Sequence, residues 1–466
     1  MKKLLTLLAL LSCTISAKAT HLMGGEMTVE HTTGNQFIIH LTAYRDTIGV
    51  PFLLTANFKV YNSSNTVVVN STVPQDNNSG NLIPGAPYGV EIYFFTDTIT
   101  IPGPGQYRVE WLNCCRNGAI SNLTAPLNEN MFLYTTFTHY GSSPFNSTPE
   151  FLAPPVTFVP INLAWQYNSL PLDPDGDSLS WTLDTPYTSS GVYAGGWITP
   201  SAAANGAFTL DPVTGQIDWT PNMYGNFVAS IKVEEFRAGT KIGEIRRDYQ
   251  MIIIDDTTKK TSPRITNMGT VFPVNGNGHY YKTLPVNTPV NISLLAEDLE
   301  GNQVEFLTYG EPYLLTQNPA TFNTFTITPS KVMGIFQWTP DMSQARTNPY
   351  IVVFRTRDEV FSFDETVLFF VGSATGISQQ DNEVTGPLYP NPAINMVWVP
   401  VSLEAASEVS VVLFNSAGMK AATYDFGTLP AGNHMQQLEL DLAAGLYTIT
   451  LLKDGHSQTT QKLLVQ

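Results

Sequence analysis

Cysteine is almost missing from this chain: three in 466 residues, of which Cys13 falls in an N-terminal leader and only the adjacent Cys114 and Cys115 remain. A disulfide-framed fold is therefore excluded. Charge is also scarce, at 13% of residues, and it is one-sided, with 23 Lys and Arg against 39 Asp and Glu and a net charge of −16. That balance offers no basic groove for nucleic acid or an anionic membrane surface. Past the leader, no run approaches the roughly 18 apolar residues of a membrane helix. Helical periodicity never lasts beyond two turns. No His-Glu-x-x-His, Gly-x-Ser-x-Gly or phosphate-cradling glycine loop occurs, and the seven histidines are scattered. The expectation is a chain without enzymatic activity.

What is present suits strands. Hydrophobic residues make up 43% of the chain, and 34 Gly and 32 Pro punctuate tracts of Val, Thr, Ile, Asn and Ser. Polar and apolar residues alternate along Gln36–Tyr44, Ala56–Tyr61, Gly89–Phe95 and Gln106–Trp111, as in half-buried strands. Turns such as Asn77-Asn78-Ser79-Gly80 and Pro102-Gly103-Pro104-Gly105 separate them. The fold class is all-β, built as tandem antiparallel β-sandwiches. At the N-terminus, Met1-Lys2-Lys3, the apolar run Leu4–Leu11 and Ala17-Lys18-Ala19 form a signal peptide cleaved before Thr20. Leu10-Leu11-Ser12-Cys13 offers a lipoprotein alternative.

Two segments repeat. Ser147-Thr148-Pro149 and Thr261-Ser262-Pro263 open them, Ile217-Asp218-Trp219-Thr220-Pro221 and Phe336-Gln337-Trp338-Thr339-Pro340 recur about one sandwich domain apart, and Ile231–Glu235 matches Phe354–Asp358. Trp219 and Trp338 read as core residues. Between these landmarks lies an acidic turn, Leu172-Asp173-Pro174-Asp175-Gly176-Asp177 in the first copy and Glu297-Asp298-Leu299-Glu300-Gly301-Asn302 in the second. Alternating carboxylates around a glycine can aim several hard oxygens at one point, which is what calcium requires. The same residues also make an excellent tight turn for backbone reasons alone. Leu299 and Asn302 dilute the second copy. For Cys114 and Cys115, a vicinal disulfide is the first reading, two reduced buried thiols the second, and a redox or metal role the third.

Three resemblances add to this. Leu388-Tyr389-Pro390-Asn391-Pro392-Ala393, the apolar run Val409–Phe414, Gly445-Leu446-Tyr447 and the ending Lys462-Leu463-Leu464-Val465-Gln466 together resemble the C-terminal sorting domain of the type IX secretion system of the Bacteroidetes. That implies secretion machinery as a partner of residues 388–466, and delivery through the periplasm to the cell surface or the medium. The two repeats resemble cadherin-like or immunoglobulin-like modules, which implies calcium held by Asp173, Asp175 and Asp177 with Glu235 on the closing strand and Asp255 and Asp256 before the second copy. Asp298, Glu300 and Asp358 are the second copy's counterparts. His21-Leu22-Met23-Gly24-Gly25-Glu26 and Cys114-Cys115-Arg116-Asn117-Gly118 resemble N-terminal modules of gliding-motility-associated surface proteins.

The chain therefore divides into a signal peptide at 1–19, an N-terminal sandwich at 20–147, repeats at 148–258 and 259–372, a linker at 373–387 and a sorting domain at 388–466. The expected role is binding or adhesion at the cell surface toward an extracellular protein or glycan. A glycan-binding or glycan-degrading accessory protein and a structural surface component are the alternatives.

Overall fold

The computed structural model describes residues 22–47, 52–82, 89–156, 158–204, 206–255, 261–372, 388, 390–403, 405–415, 419–454 and 456–466. The signal peptide, the linker and Asp256 lie outside these. Strands dominate, joined by short turns, and the two α-helices among the described residues, Pro200–Ala204 and Met268–Val271, are single turns. The all-β expectation holds. The chain divides into two compact units, one of residues 1–267, 290–338 and 350–366, the other of 268–289, 339–349 and 367–466.

In the first unit, the N-terminal sandwich is built from antiparallel neighbours. Strand Leu22–Thr33 pairs with Gln36–Asp46, which pairs with Val90–Thr100, while Gly105–Asn113 lies between Thr55–Asn62 and Met131–His139. Alternation buries Phe37, Ile39, Leu41, Phe58, Val60, Phe95 and Val109 in one core. This sandwich does not close on itself. Strand Thr240–Ile254, from the first repeat, runs between Met131–His139 and Leu22–Thr33 and joins both modules in one 14-stranded sheet.

Two glycines make that insertion possible. A Cβ on Gly24 would lie 2.5 Å from the Asp248 carbonyl oxygen, and one on Gly25 would lie 2.9 Å from both Leu133 and the Thr42 carbonyl. Glu26 then meets Arg247, whose Nη2 donates to Glu26 Oε1 at 2.7 Å. On the other face of the same strand, Asp248 accepts both terminal nitrogens of Arg116. The two distinctive N-terminal sequence motifs are thus the residues that receive the inserted strand.

The first repeat packs Trp165, Tyr167, Ile217, Trp219, Phe227, Ile231 and Met251 into its core. Trp219 and Trp338 are each only 2% exposed, as a core role requires. In the second repeat, Val290–Glu297 and Thr321–Thr328 flank Lys331–Trp338, and Glu305–Gly310 pairs with Tyr350–Arg357. The two repeats meet at a buried charge: Asp364 binds Arg355 at 2.6 and 2.8 Å and accepts the Asn168 backbone N–H at 3.0 Å. Arg355 also donates to the Pro154 carbonyl at 2.9 Å.

In the second unit, Tyr280–Pro285 runs parallel to Val367–Gly372. The C-terminal domain pairs Met396–Leu403 with Gly432–Glu439 and forms a four-stranded sheet in the order Lys420–Leu429, Ser407–Asn415, Gly445–Lys453, His456–Val465. Val397, Val399, Val411, Leu413, Ile449 and Leu463 fill its core. Asn391 ties the start of the domain to its end, donating to the Lys462 carbonyl at 2.8 Å and accepting the Leu464 N–H at 2.9 Å.

Candidate functional site

The acidic turn of the first repeat folds around one carboxylate. Asp173 Oδ1 accepts the backbone N–H groups of Asp175 and Asp177, each at 2.9 Å, and Gly176 takes the left-handed φ of 83° that reverses the chain. This arrangement consumes one carboxylate oxygen and frees the other. Asp173 Oδ2 is buried with no hydrogen-bond partner.

Glu235 faces the turn from the strand Gly225–Arg237, which pairs with Ser178–Asp184 just after it. Its side chain is wholly buried, and its Oε1 likewise has no hydrogen-bond partner. Gly243, cross-strand from Glu235, leaves the space: a Cβ there would lie 2.4 Å from Glu235 Oε2. Asp177 completes the group, and one oxygen from each of Asp173, Asp177 and Glu235 lies within 4.8 Å of the others. Among the described residues no other group of three potential metal ligands comes together in this way.

The electrostatics follow from that crowding. Burial, reinforced by the neighbouring carboxylates Asp173 and Asp177, pushes Glu235 up to about 9. Burial likewise pushes Asp173 up to about 6, against the pull of its two backbone hydrogen bonds. Asp177 is held by Arg237, whose Nε donates to Asp177 Oδ1 at 2.8 Å. The same guanidinium donates to the Phe145 carbonyl and to Asn146 Oδ1, each at 2.9 Å. Asn146 in turn approaches Glu235 Oε2 at 3.4 Å, and Asp175 Oδ2 accepts the Ser147 N–H at 2.6 Å. The pocket therefore sits where the N-terminal sandwich hands over to the first repeat.

Not every expected ligand is part of it. Asp175 is exposed and serves the Ser147 N–H, while Asp255 is exposed at the far end of strand Thr240–Ile254, outside the cluster. Asp256 lies outside the described residues. Glu235 and the turn meet at the end of the module away from Asp255. Sequence reasoning missed Asn146, Arg237 and Gly243. Asn146 stands directly before the Ser-Thr-Pro opening, but the roles of the other two depend on strand register.

The second turn has the same geometry. Asp298 Oδ1 accepts the N–H groups of Glu300 at 2.8 Å and Asn302 at 3.0 Å, and its Oδ2 is buried without a hydrogen-bond partner. Glu300 Oε2 accepts the Thr261 N–H at 3.2 Å, as Asp175 does for Ser147. Asp358 is buried, and its Oδ1 accepts the N–H groups of Val360 and Phe361 at 2.6 and 2.7 Å. Cys114 and Cys115 are bridged to each other.

Comparison with known proteins identifies one segment. Residues 387–466 match the family described as secretion system C-terminal sorting domain, which supports export of this chain as a type IX secretion cargo. No curated protein matches it. Among solved structures, an endo-fucoidan hydrolase of glycoside hydrolase family 107 aligns at 15% identity over 70% of this chain and 45% of its own, with a TM-score of 0.18. This chain thus spans less than half of that hydrolase, and so low a score carries no argument about fold or activity. No helix among the described residues is long and apolar enough to cross a membrane.

Proposed function

We propose that this exported chain is a non-catalytic adhesive or binding protein of the cell surface. The observation that carries the reading is the way its modules are joined. Arg116–Asp248 and Arg247–Glu26 lock the first repeat into the N-terminal sandwich, and Arg355–Asp364 with Asn168 locks the second repeat to the first. Buried pairs of this kind are geometrically demanding, and losing one partner strands the other charge. Such joints suit modules that must keep a fixed relation under load, as adhesion demands.

Within this reading the Asp173, Asp177 and Glu235 pocket takes calcium. Two buried oxygens without hydrogen-bond partners and a third carboxylate form a hard-oxygen set, and opposite ligands of calcium lie up to about 5 Å apart. An ion bound there would brace the handover at Asn146 and Ser147.

A specific observation keeps the glycan-binding reading in play. Tyr193 is 53% exposed with its ring centroid 4.6 Å from that of Tyr187, which lies against Tyr134 and above the Arg246 guanidinium. An exposed tyrosine cluster of this kind can accept the apolar face of a sugar. The deciding experiment incubates the purified full chain with a polysaccharide panel and measures both retention and release of reducing ends. Retention on cells or matrix without hydrolysis supports adhesion, and release of reducing ends overturns the non-catalytic reading.

A further inference from the structure

We propose that a row of apolar and aromatic side chains, crossing four strands of the 14-stranded sheet, is a binding site for a neutral glycan chain. The proposal rests on the glycan-binding reading above and deepens it, giving that site its extent and its ligand class.

Strand register builds the row. Leu112 pairs with Phe132, Phe132 with Tyr187 and Tyr187 with Tyr193, so four strands each place one side chain on the same face of the sheet. Three interstrand steps of about 4.8 Å carry the row over roughly 14 Å. Phe132 is buried, while Leu112 and Tyr193 at the two ends are 50% and 53% exposed. The result is a narrow apolar track, open to water at both ends. A track one side chain wide gives a protein partner little area to bury, whereas it matches an extended chain of sugar rings.

The flank of the track is polar. Exposed Ser190, in the turn between Tyr187–Ser189 and Val192–Tyr193, donates to Glu110 Oε1 at 2.7 Å. Glu110 stands two residues before Leu112 and so shares its face, and its cross-strand partner Tyr134 meets Tyr187 edge-on at 5.4 Å. A pyranose offers the matching surface: an apolar C–H face bordered by hydroxyls.

Charge selects among glycans. Arg108 Nε donates to Glu110 Oε1 at 2.7 Å, and Arg246, against the rings of Tyr134 and Tyr187, donates to Asp184 at 2.8 Å and to Glu244. Both guanidiniums are neutralised in place. Exposed Lys59 is cross-strand from the same Glu110 and lies one strand beyond the end of the row at Leu112. A chain with a net charge of −16 also repels polyanions. A sugar without carboxylate or sulfate is the ligand this face suits.

The test measures retention of the full chain on immobilised laminarin, xyloglucan, galactomannan and amylose, and on alginate, polygalacturonate and dextran sulfate, at low and high salt. At least one neutral polymer should retain the chain equally at both salt levels, and no anionic polymer should retain it. Tyr193→Ala should weaken retention about tenfold, and Tyr193→Phe, which keeps the ring, should stay within about threefold of the parent. Leu112→Ser, at the far end of the row, should weaken retention about threefold and serves if Tyr193→Ala does not fold. Lys59→Gln, and Phe325→Ala at an exposed aromatic of the second repeat, should change nothing. Circular dichroism of each variant is read first. Retention on a neutral polymer that a folded Tyr193→Ala or Leu112→Ser leaves intact, loss of retention in Lys59→Gln, or salt-sensitive retention on an anionic polymer overturns this site while a glycan role stands. No retention on any polymer instead overturns the glycan-binding reading on which the proposal rests.

Discussion

Arg116 and Asp248, 132 residues apart in sequence, form a two-point ion pair at 2.9 and 2.6 Å with both side chains all but sealed from solvent. One belongs to the loop after the bridged cysteines and the other to the last strand of the first repeat. The pair sits on a strand whose next residue back, Arg247, points to the opposite face and binds Glu26. A single inserted strand thereby fastens two modules through both of its faces.

Asp248→Ala leaves the Arg116 guanidinium buried without its carboxylate, and the expected cost is about 3–5 kcal/mol. Chemical denaturation of the full chain should show the N-terminal sandwich and the first repeat losing stability together. A shift confined to one of them would show that the strand does not couple the modules.

Gly24→Ala places a methyl group where the Asp248 carbonyl stands 2.5 Å away. The paired strands must separate locally, at a cost of about 1–3 kcal/mol. Hydrogen exchange should quicken along Thr240–Ile254, and unchanged protection of Tyr249 and Asp248 would contradict the close packing.

Calcium should raise the thermal midpoint of the full chain above its value in excess chelator, and combined Asp173→Asn and Asp298→Asn should abolish the difference. An identical midpoint with and without chelator counts against calcium at either turn.

Acid sensitivity follows from Glu244. Burial alone would raise its pKa, but Arg246 and Lys241 outweigh burial and hold it down to about 2 from 4.5. A depressed carboxyl stabilises the fold fully above its unfolded value and loses that contribution as pH falls from 4.5 toward 2. Glu244→Gln should therefore flatten the stability profile between about pH 4.5 and pH 2. A slope as steep as in the parent would show that other carboxylates carry it.

Removing residues after Pro387 deletes the sorting domain, so the truncated protein should accumulate in the periplasm on cell fractionation. Normal surface delivery of the truncated form would remove the sorting role from this segment.

Much of this was legible in the residues alone. Alternation and turn chemistry suffice for strands at Gln36–Asp46 or Gly105–Asn113, because a half-buried strand repeats every two residues whatever it pairs with. Trp219 and Trp338 could be read as core residues from their repeated Trp-Thr-Pro context, and the ordered motifs after Leu388 pointed to the sorting segment. Asp173 and Asp177 could be read as a turn because their backbone partners are local. Three things lay beyond reach. Glu235 was a plausible partner by position, but its meeting with Asp177 depends on the register between Ser178–Asp184 and Gly225–Arg237, and a slip of one residue would turn it to the other face. The insertion of Thr240–Ile254 into the N-terminal sheet depends on pairings across more than 100 residues, which no local pattern records. The grip of Arg237 on Asp177 depends on a side chain reaching across from a strand end, a relation set by packing. The sequence by itself determined the strands and the sorting segment, since these follow from local periodicity and contiguous motifs. Tertiary structure alone decided which modules share a sheet and which carboxylates share a pocket, because both depend on long-range register and on what burial does to charge.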